Sequence, residues 1–97
     1  MDEEILSAIR FHVTGAPGMG SVAQTVFVAD YSEPGRKGEA FERVRAALDN
    51  SLQDAVIQCC DASIGFIIRK GQVIHPQTIE TRNYFICERN KATGGHI

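Results

Sequence analysis

The sequence predicts an all-α fold, a single helical domain of about five helices. Three observations carry this. Apolar residues recur at three- and four-residue spacing along most of the 97-residue chain, and strand-like alternation is scarce. Capping and breaking residues punctuate those stretches: Asp2 and Ser51 before helical runs, Gly71 after one, Pro76 at the start of another. No repeat, low-complexity tract or linker interrupts them, so residues 1–97 read as one domain with a frayed tail at about 91–97.

The first helix is capped by Asp2 and carries Ile5, Ile9 and His12 at i, i+4 and i+7, which places the histidine on the stripe that faces the core. Residues 13–18 contain Gly15, Pro17 and Gly18 and must be a loop. The following "MGSVAQTVFVADYSE" is a conflict between levels, because Val26, Phe27 and Val28 favour strand by propensity. Periodicity decides for helix: Val22, Val26 and Asp30 fall at i, i+4 and i+8, a spacing that points a carboxylate inward from an apolar face.

Pro34-Gly35 ends that segment, "RKGEA" continues the loop, and a short helix follows around "FERVRAAL". The longest helix starts at a cap formed by Asn50 or Ser51 and ends at Gly71. Leu52, Val56, Cys59 or Cys60, Ser63, Phe66 and Ile67 carry its apolar face, which should make it the centre of the core. In "HPQTIETRNYFICERN", Pro76 suits the first helical position, and Ile79 with Phe85 or Ile86 forms the expected buried stripe of the last helix.

Composition narrows the function classes. Ten basic and 12 acidic side chains give a net charge of −2, with no electrostatic footprint for nucleic acid or an anionic membrane. No apolar run approaches a membrane span and "MDEEIL" is acidic, unlike a signal peptide, so the expectation is a cytoplasmic chain. Cys59, Cys60 and Cys87 are odd in number with one adjacent pair, which fits neither a disulfide framework nor a C-x-x-C site, and they read as small apolar residues.

One stretch invites a specific chemistry. "FHVTGAPGMGSV" supplies the glycine frame of a phosphate-binding loop, G-x-x-x-x-G-K-[ST]. Position 21 is Ser where that motif needs Lys, and position 22 is Val where it needs the magnesium-binding hydroxyl. Both groups that would neutralise phosphate charge are missing, and a magnesium-dependent nucleotide hydrolase of that type is discounted.

The runs "IRFHVTGAPGM", "FVADYSEPGR" and "GQVIHPQTIETRN", in this order and spanning roughly residues 3–86, resemble the C-terminal half of the YqeK-type HD-domain proteins, the symmetrical diadenosine-tetraphosphate hydrolases. The resemblance implies an all-α HD fold and a two-metal centre, typically iron, held by four histidines and two aspartates. It implies His12 and Asp30 as metal ligands, Asp30 also as a catalytic group. Arg36, Thr14, Gly15 and Glu33 are implied as substrate-binding residues, Arg36 because a planar guanidinium fork suits phosphate oxygens. The implied reaction is hydrolysis of diadenosine tetraphosphate, a dinucleoside polyphosphate, to two ADP. Independently of the resemblance, imidazole and carboxylate together suit a divalent transition metal. Without it, a core histidine would be the simpler reading of His12, and a carboxylate paired with Arg36 or Arg45 the simpler reading of Asp30. His75 before Pro76 reads as a cap or turn residue, and Arg82 and Asn83 as packing and hydrogen-bonding residues.

Departures from that pattern matter as much. Gln24 stands where the family usually has lysine, and Val13 replaces the first threonine of the loop. The chain contains no histidine-aspartate dipeptide, and the other metal ligands of the family have no counterpart in it. Two ligands are fewer than the three or more protein ligands a transition metal commonly takes. Two readings follow: the second half of a hydrolase completed by an N-terminal half, with these 97 residues alone inactive, or a non-catalytic module that associates with itself or a partner.

Overall fold

The computed structural model describes Glu3, residues 14–32 and residues 38–92, with every side chain among them except those of Asp30 and Ala92. The described residues form four helices and no strand: α1 (Ser21–Ser32), α2 (Glu39–Asn50), α3 (Leu52–Arg69) and α4 (Pro76–Ala92). The all-α expectation holds. The expected first helix, with Asp2, Ile5, Ile9 and His12, lies outside the described residues.

Segment 21–32 is helical in spite of its valines, so periodicity outweighed strand propensity. Its buried face is a different one from that expected. Val22 and Val26 are 37% and 41% exposed, whereas Ala23, Phe27 and Val28 are buried and Tyr31 packs beside them. The helix is rotated by about one residue from the expected stripe: Phe27 is the buried aromatic side chain of α1, and its ring lies against the incoming loop at Gly15. The inward-facing apolar stripe of Val22, Val26 and Asp30 is therefore corrected for its two valines, and the Asp30 side chain lies outside the described part.

Helix α2 begins at Glu39 and ends at Asn50, two residues longer at each end than expected, and buries Val44 completely. Tyr31 at the end of α1 meets Phe41 at the start of α2, ring centroids 5.6 Å apart. Ser51 separates α2 from α3 with an extended backbone, and its hydroxyl accepts the Asp54 N–H at 3.0 Å, the N-cap expected there. Ser51→Ala removes this bond and is expected to cost about 1 kcal/mol; a urea midpoint unchanged from the parent chain would refute the cap's contribution.

Helix α3 packs against α1, α2 and α4, which makes it the centre of the fold as expected. Its buried residues are confined to Ala55, Val56, Ile57, Cys59 and Cys60. Farther along the expected face, Ser63 and Ile67 are half-buried and Phe66 is 52% exposed, so that face is fully buried only as far as Cys60. The helix closes at Gly71 (φ +68), where the Gly71 N–H reaches the Ile68 carbonyl and the Gln72 N–H reaches the Ile67 carbonyl, at 3.0 and 3.1 Å. That pair of bonds needs a left-handed residue, and glycine supplies it.

Helix α4 starts at Pro76 and continues to Ala92, so residues 91 and 92, expected in a frayed tail, are helical. Phe85 is buried and Ile86 packs on the core, while Ile79 is 39% exposed. The place expected for Ile79 is taken by Thr78 and Thr81, both buried. Thr81 tolerates burial because its hydroxyl donates to the Gln77 carbonyl one turn back, at 2.7 Å.

Candidate functional site

The loop that connects the candidate histidine to α1 is shaped by four residues. Ala16-Pro17-Gly18-Met19 is a turn closed by the Met19 N–H on the Ala16 carbonyl at 3.3 Å. Proline at its second position and glycine with φ +73 at its third match a type II turn. The glycine frame that resembles a phosphate-binding loop thus serves to reverse the chain. Ala16 and Met19 are buried, so the loop packs into the core.

Gly15 is the tightest point. Its φ is +71, and a Cβ built there would stand 2.9 Å from Thr81 Cγ2 and 3.4 Å from both Met19 Cε and Phe27 Cε1. The first turn of α4 then grips the loop from outside. The Gln77 side-chain amide donates to the Gly15 carbonyl at 2.7 Å and to the Thr14 hydroxyl at 3.1 Å. The Thr14 hydroxyl in turn donates to the Gly15 carbonyl at 3.0 Å. His75 caps α4, its Nδ1 accepting the Gln77 N–H at 3.1 Å, which is the capping role expected of it. On the other side of the loop, the Gln24 amide donates to the Met19 carbonyl at 3.0 Å.

Of the six candidate site residues, the structure brings Thr14 and Gly15 together against Gln77. Asp30 falls in the last turn of α1, with its side chain outside the described part. His12, Glu33 and Arg36 lie outside the described residues. Gln77 is the residue that the sequence reading overlooked. It sits 62 residues from Gly15, and a lone glutamine near a helix start carries no signal for so distant a partner.

The remaining polar groups have structural roles. Arg82 Nε meets Asp61 Oδ1 at 2.5 Å and its Nη1 meets Asn83 Oδ1 at 3.3 Å, joining α4 to α3 in keeping with the packing role expected of Arg82 and Asn83. Burial raises the Cys59 thiol far above the usual value of 9.0, with the neighbouring Cys60 adding to the shift. The Cys60 thiol is pushed up to about 12, first by burial and then by Asp61, with Arg82 opposing. Neither is a thiolate at neutral pH, so neither is a nucleophile or a ready metal ligand. On the surface, the Tyr84 hydroxyl is held above its usual range by its hydrogen bond to Glu88 and that carboxylate's charge.

Among the described residues no three His, Cys, Asp or Glu side chains come together as a metal-binding group. His12 and Asp30 have the donor chemistry for a transition metal, yet two donors fall short of the three that such a site usually needs. No described helix is long and apolar enough to cross a membrane.

Comparison with known proteins gives three consistent results. The chain is 40% identical over 88 residues to a symmetrical bis(5'-nucleosyl)-tetraphosphatase of Halalkalibacterium halodurans, covering 91% of this chain and 47% of that protein. It is 38% identical over 85 residues to the protein of the same name from Bacillus subtilis, covering 88% and 46%. Among solved structures, a protein described as a predicted HD superfamily hydrolase involved in NAD metabolism, from Clostridium acetobutylicum, superposes with a TM-score of 0.84 at 42% identity, over 91% of this chain and 47% of the other. The chain spans about half the length of the curated relatives it matches. No family model matches it.

Proposed function

From a chain whose sequence and fold match the C-terminal half of HD-type hydrolases, we propose the second half of a metal-dependent phosphohydrolase that cleaves diadenosine tetraphosphate symmetrically to two ADP. The observation that carries the reading is the extent of the match, 40% identity over 91% of the chain, to a relative whose name states that activity. In this reading His12 and Asp30 are two ligands of a centre holding a divalent transition metal, iron by the family resemblance. Such a metal supplies an acidified water and neutralises charge on attacking and leaving oxygens. Arg36 binds substrate phosphate through its guanidinium fork, with Glu33, Thr14 and Gly15 lining the same region. The loop locked by Gln77 supports it, because the bonds to the Thr14 hydroxyl and the Gly15 carbonyl fix the backbone two and three residues after His12.

The 97 residues alone are inactive in this reading, since His12 and Asp30 leave the metal short of donors. The experiment is metal analysis and ADP release from diadenosine tetraphosphate, on the chain alone and on the chain mixed with the N-terminal half of a relative. The expected result is little metal and no ADP from the chain alone, and both from the mixture, lost again in His12→Ala or Asp30→Ala. Stoichiometric metal with turnover by the chain alone would overturn the claim of inactivity. Activity in the mixture that survives both substitutions would overturn the ligand assignment.

A second reading, a non-catalytic module that associates with a second copy or a partner, draws on the exposed apolar side chains Val22 and Val26 on α1, Phe66 and Ile68 on α3, and Val73 beyond it, 94% exposed. A stable dimer with no metal, together with a mixture that stays inactive, would favour it over the first.

A further inference from the structure

We propose that the cleft between α2 and α3 is a second anion site, one that takes a small phosphoryl anion between Arg43 and Arg69. The cleft has a volume of about 110 Å³ and is lined by Arg43 from α2 and by Gln58, Asp61, Gly65 and Arg69 from α3. Two guanidinium groups and one side-chain amide therefore border a single small space from two helices. Donors arriving from different directions suit the oxygens of a tetrahedral phosphate, and each guanidinium can engage two of them.

The charges around the cleft leave it open to an anion. Asp61 is the one carboxylate of the lining, and it is held by Arg82 at 2.5 Å, a residue of α4 outside the lining. Arg43 pairs with Glu39 at 3.2 Å, but both side chains are mostly exposed and lie one turn apart on α2, an arrangement that contributes little and yields readily to a phosphate. Arg69 makes no ion pair with any described residue.

Gly65 gives a second, independent reason. Glycine inside a helix is unfavourable, and Gly65 lies within α3, short of the cap at Lys70. A Cβ there would stand 3.4 Å from Arg69 Nη1, so the guanidinium folds back one turn and lies over the position that lacks a side chain. The bare backbone keeps the floor of the cleft open beneath it. The site is built on α2 and α3, outside the segment 12–36 that carries the candidate metal ligands, and it does not rest on the proposed hydrolase activity.

The test is a titration of the isotope-labelled 97-residue chain with pyrophosphate at low salt, followed by amide chemical shifts. Saturable shifts confined to Gln58, Gly65, Arg69 and their helical neighbours are expected. Arg43→Ala and Arg69→Ala should each weaken binding about tenfold, the loss of one charge-assisted bond, while Lys91→Ala leaves it unchanged. Gly65→Ala separates binding from stability: it should raise the melting temperature through helix propensity and weaken pyrophosphate binding by filling the floor. Inorganic phosphate and ADP should shift the same amides and adenosine should not; a clear preference for ADP would identify a nucleotide as the source of the phosphate. Unsaturable shifts, binding that survives Arg43→Ala and Arg69→Ala together, or Gly65→Ala raising stability with affinity intact would overturn the proposal.

Discussion

Gly15→Ala is expected to destabilise the chain by about 2–5 kcal/mol, from about 1–2 for a side chain in the left-handed region and about 1–3 for overpacking. The two contributions have separate origins in the structure. The φ of +71 gives the first, and the 2.9 Å approach of a Cβ to Thr81 Cγ2 gives the second. Thr81 is fully buried and its hydroxyl is committed to the Gln77 carbonyl, so its methyl has no easy route away. Gly18 is the built-in comparison. Its φ is +73, but the nearest atom to a Cβ would be the Tyr84 hydroxyl oxygen at 3.6 Å, ordinary contact with a movable side chain. Gly18→Ala should therefore cost only the conformational part, about 1–2 kcal/mol. Urea unfolding of both variants checks the difference. Equal costs would mean that the loop shifts away from α4 on substitution and that the close packing is not rigid. Against a total stability of about 5–15 kcal/mol for a domain of this kind, the Gly15 variant should be partly unfolded at mild denaturant.

The same loop shows what the sequence made legible and what it did not. The Pro17-Gly18 turn, the Ser51 cap, the Gly71 closure and the Pro76 start were readable because each is a local device, in which the residue type and its nearest neighbours determine the backbone. Helix against strand in segment 21–32 was readable from spacing, since period is a property of the whole segment and propensity of single residues. The facing of α1 and the burial of Thr78 and Thr81 in place of Ile79 were not readable. Which stripe of a weakly amphipathic helix turns inward depends on what arrives against it, and here that is Phe27 meeting the loop and Thr81 meeting Gly15. Gln77 was hidden for the same reason, its partners lying 62 and 63 residues away. Of the candidate site, the order of three motifs gave the relationship to the hydrolases, which the comparisons bear out over about half of those proteins. It could not show whether His12 and Asp30 share one site, because that is a matter of distance in space.

Stability should fall steeply above pH 9, by about 3 kcal/mol between pH 8 and pH 10. The cause is the pair of buried thiols on α3. In the unfolded chain Cys59 and Cys60 ionise near 9.0, whereas in the folded chain burial keeps both protonated, Cys60 up to about 12 and Cys59 beyond it. Between those limits the folded state binds more protons than the unfolded state, so each unit of pH removes about 1.4 kcal/mol per thiol. The sign is therefore fixed: the contribution is complete below pH 9 and is lost as pH rises. Urea midpoints at pH 8, 9 and 10 measure it, and Cys59→Ala with Cys60→Ala should flatten the profile, leaving whatever the lysines and Tyr84 contribute. Reactivity gives an orthogonal check, because a thiol reagent should modify Cys87, which is only partly buried, in the folded chain and reach the other two only on unfolding. A midpoint that stays level to pH 10 would mean that water or a cation reaches the α3–α4 interface and stabilises a thiolate there. The core of α3 would then be open where its burial beside α4 requires it to be closed.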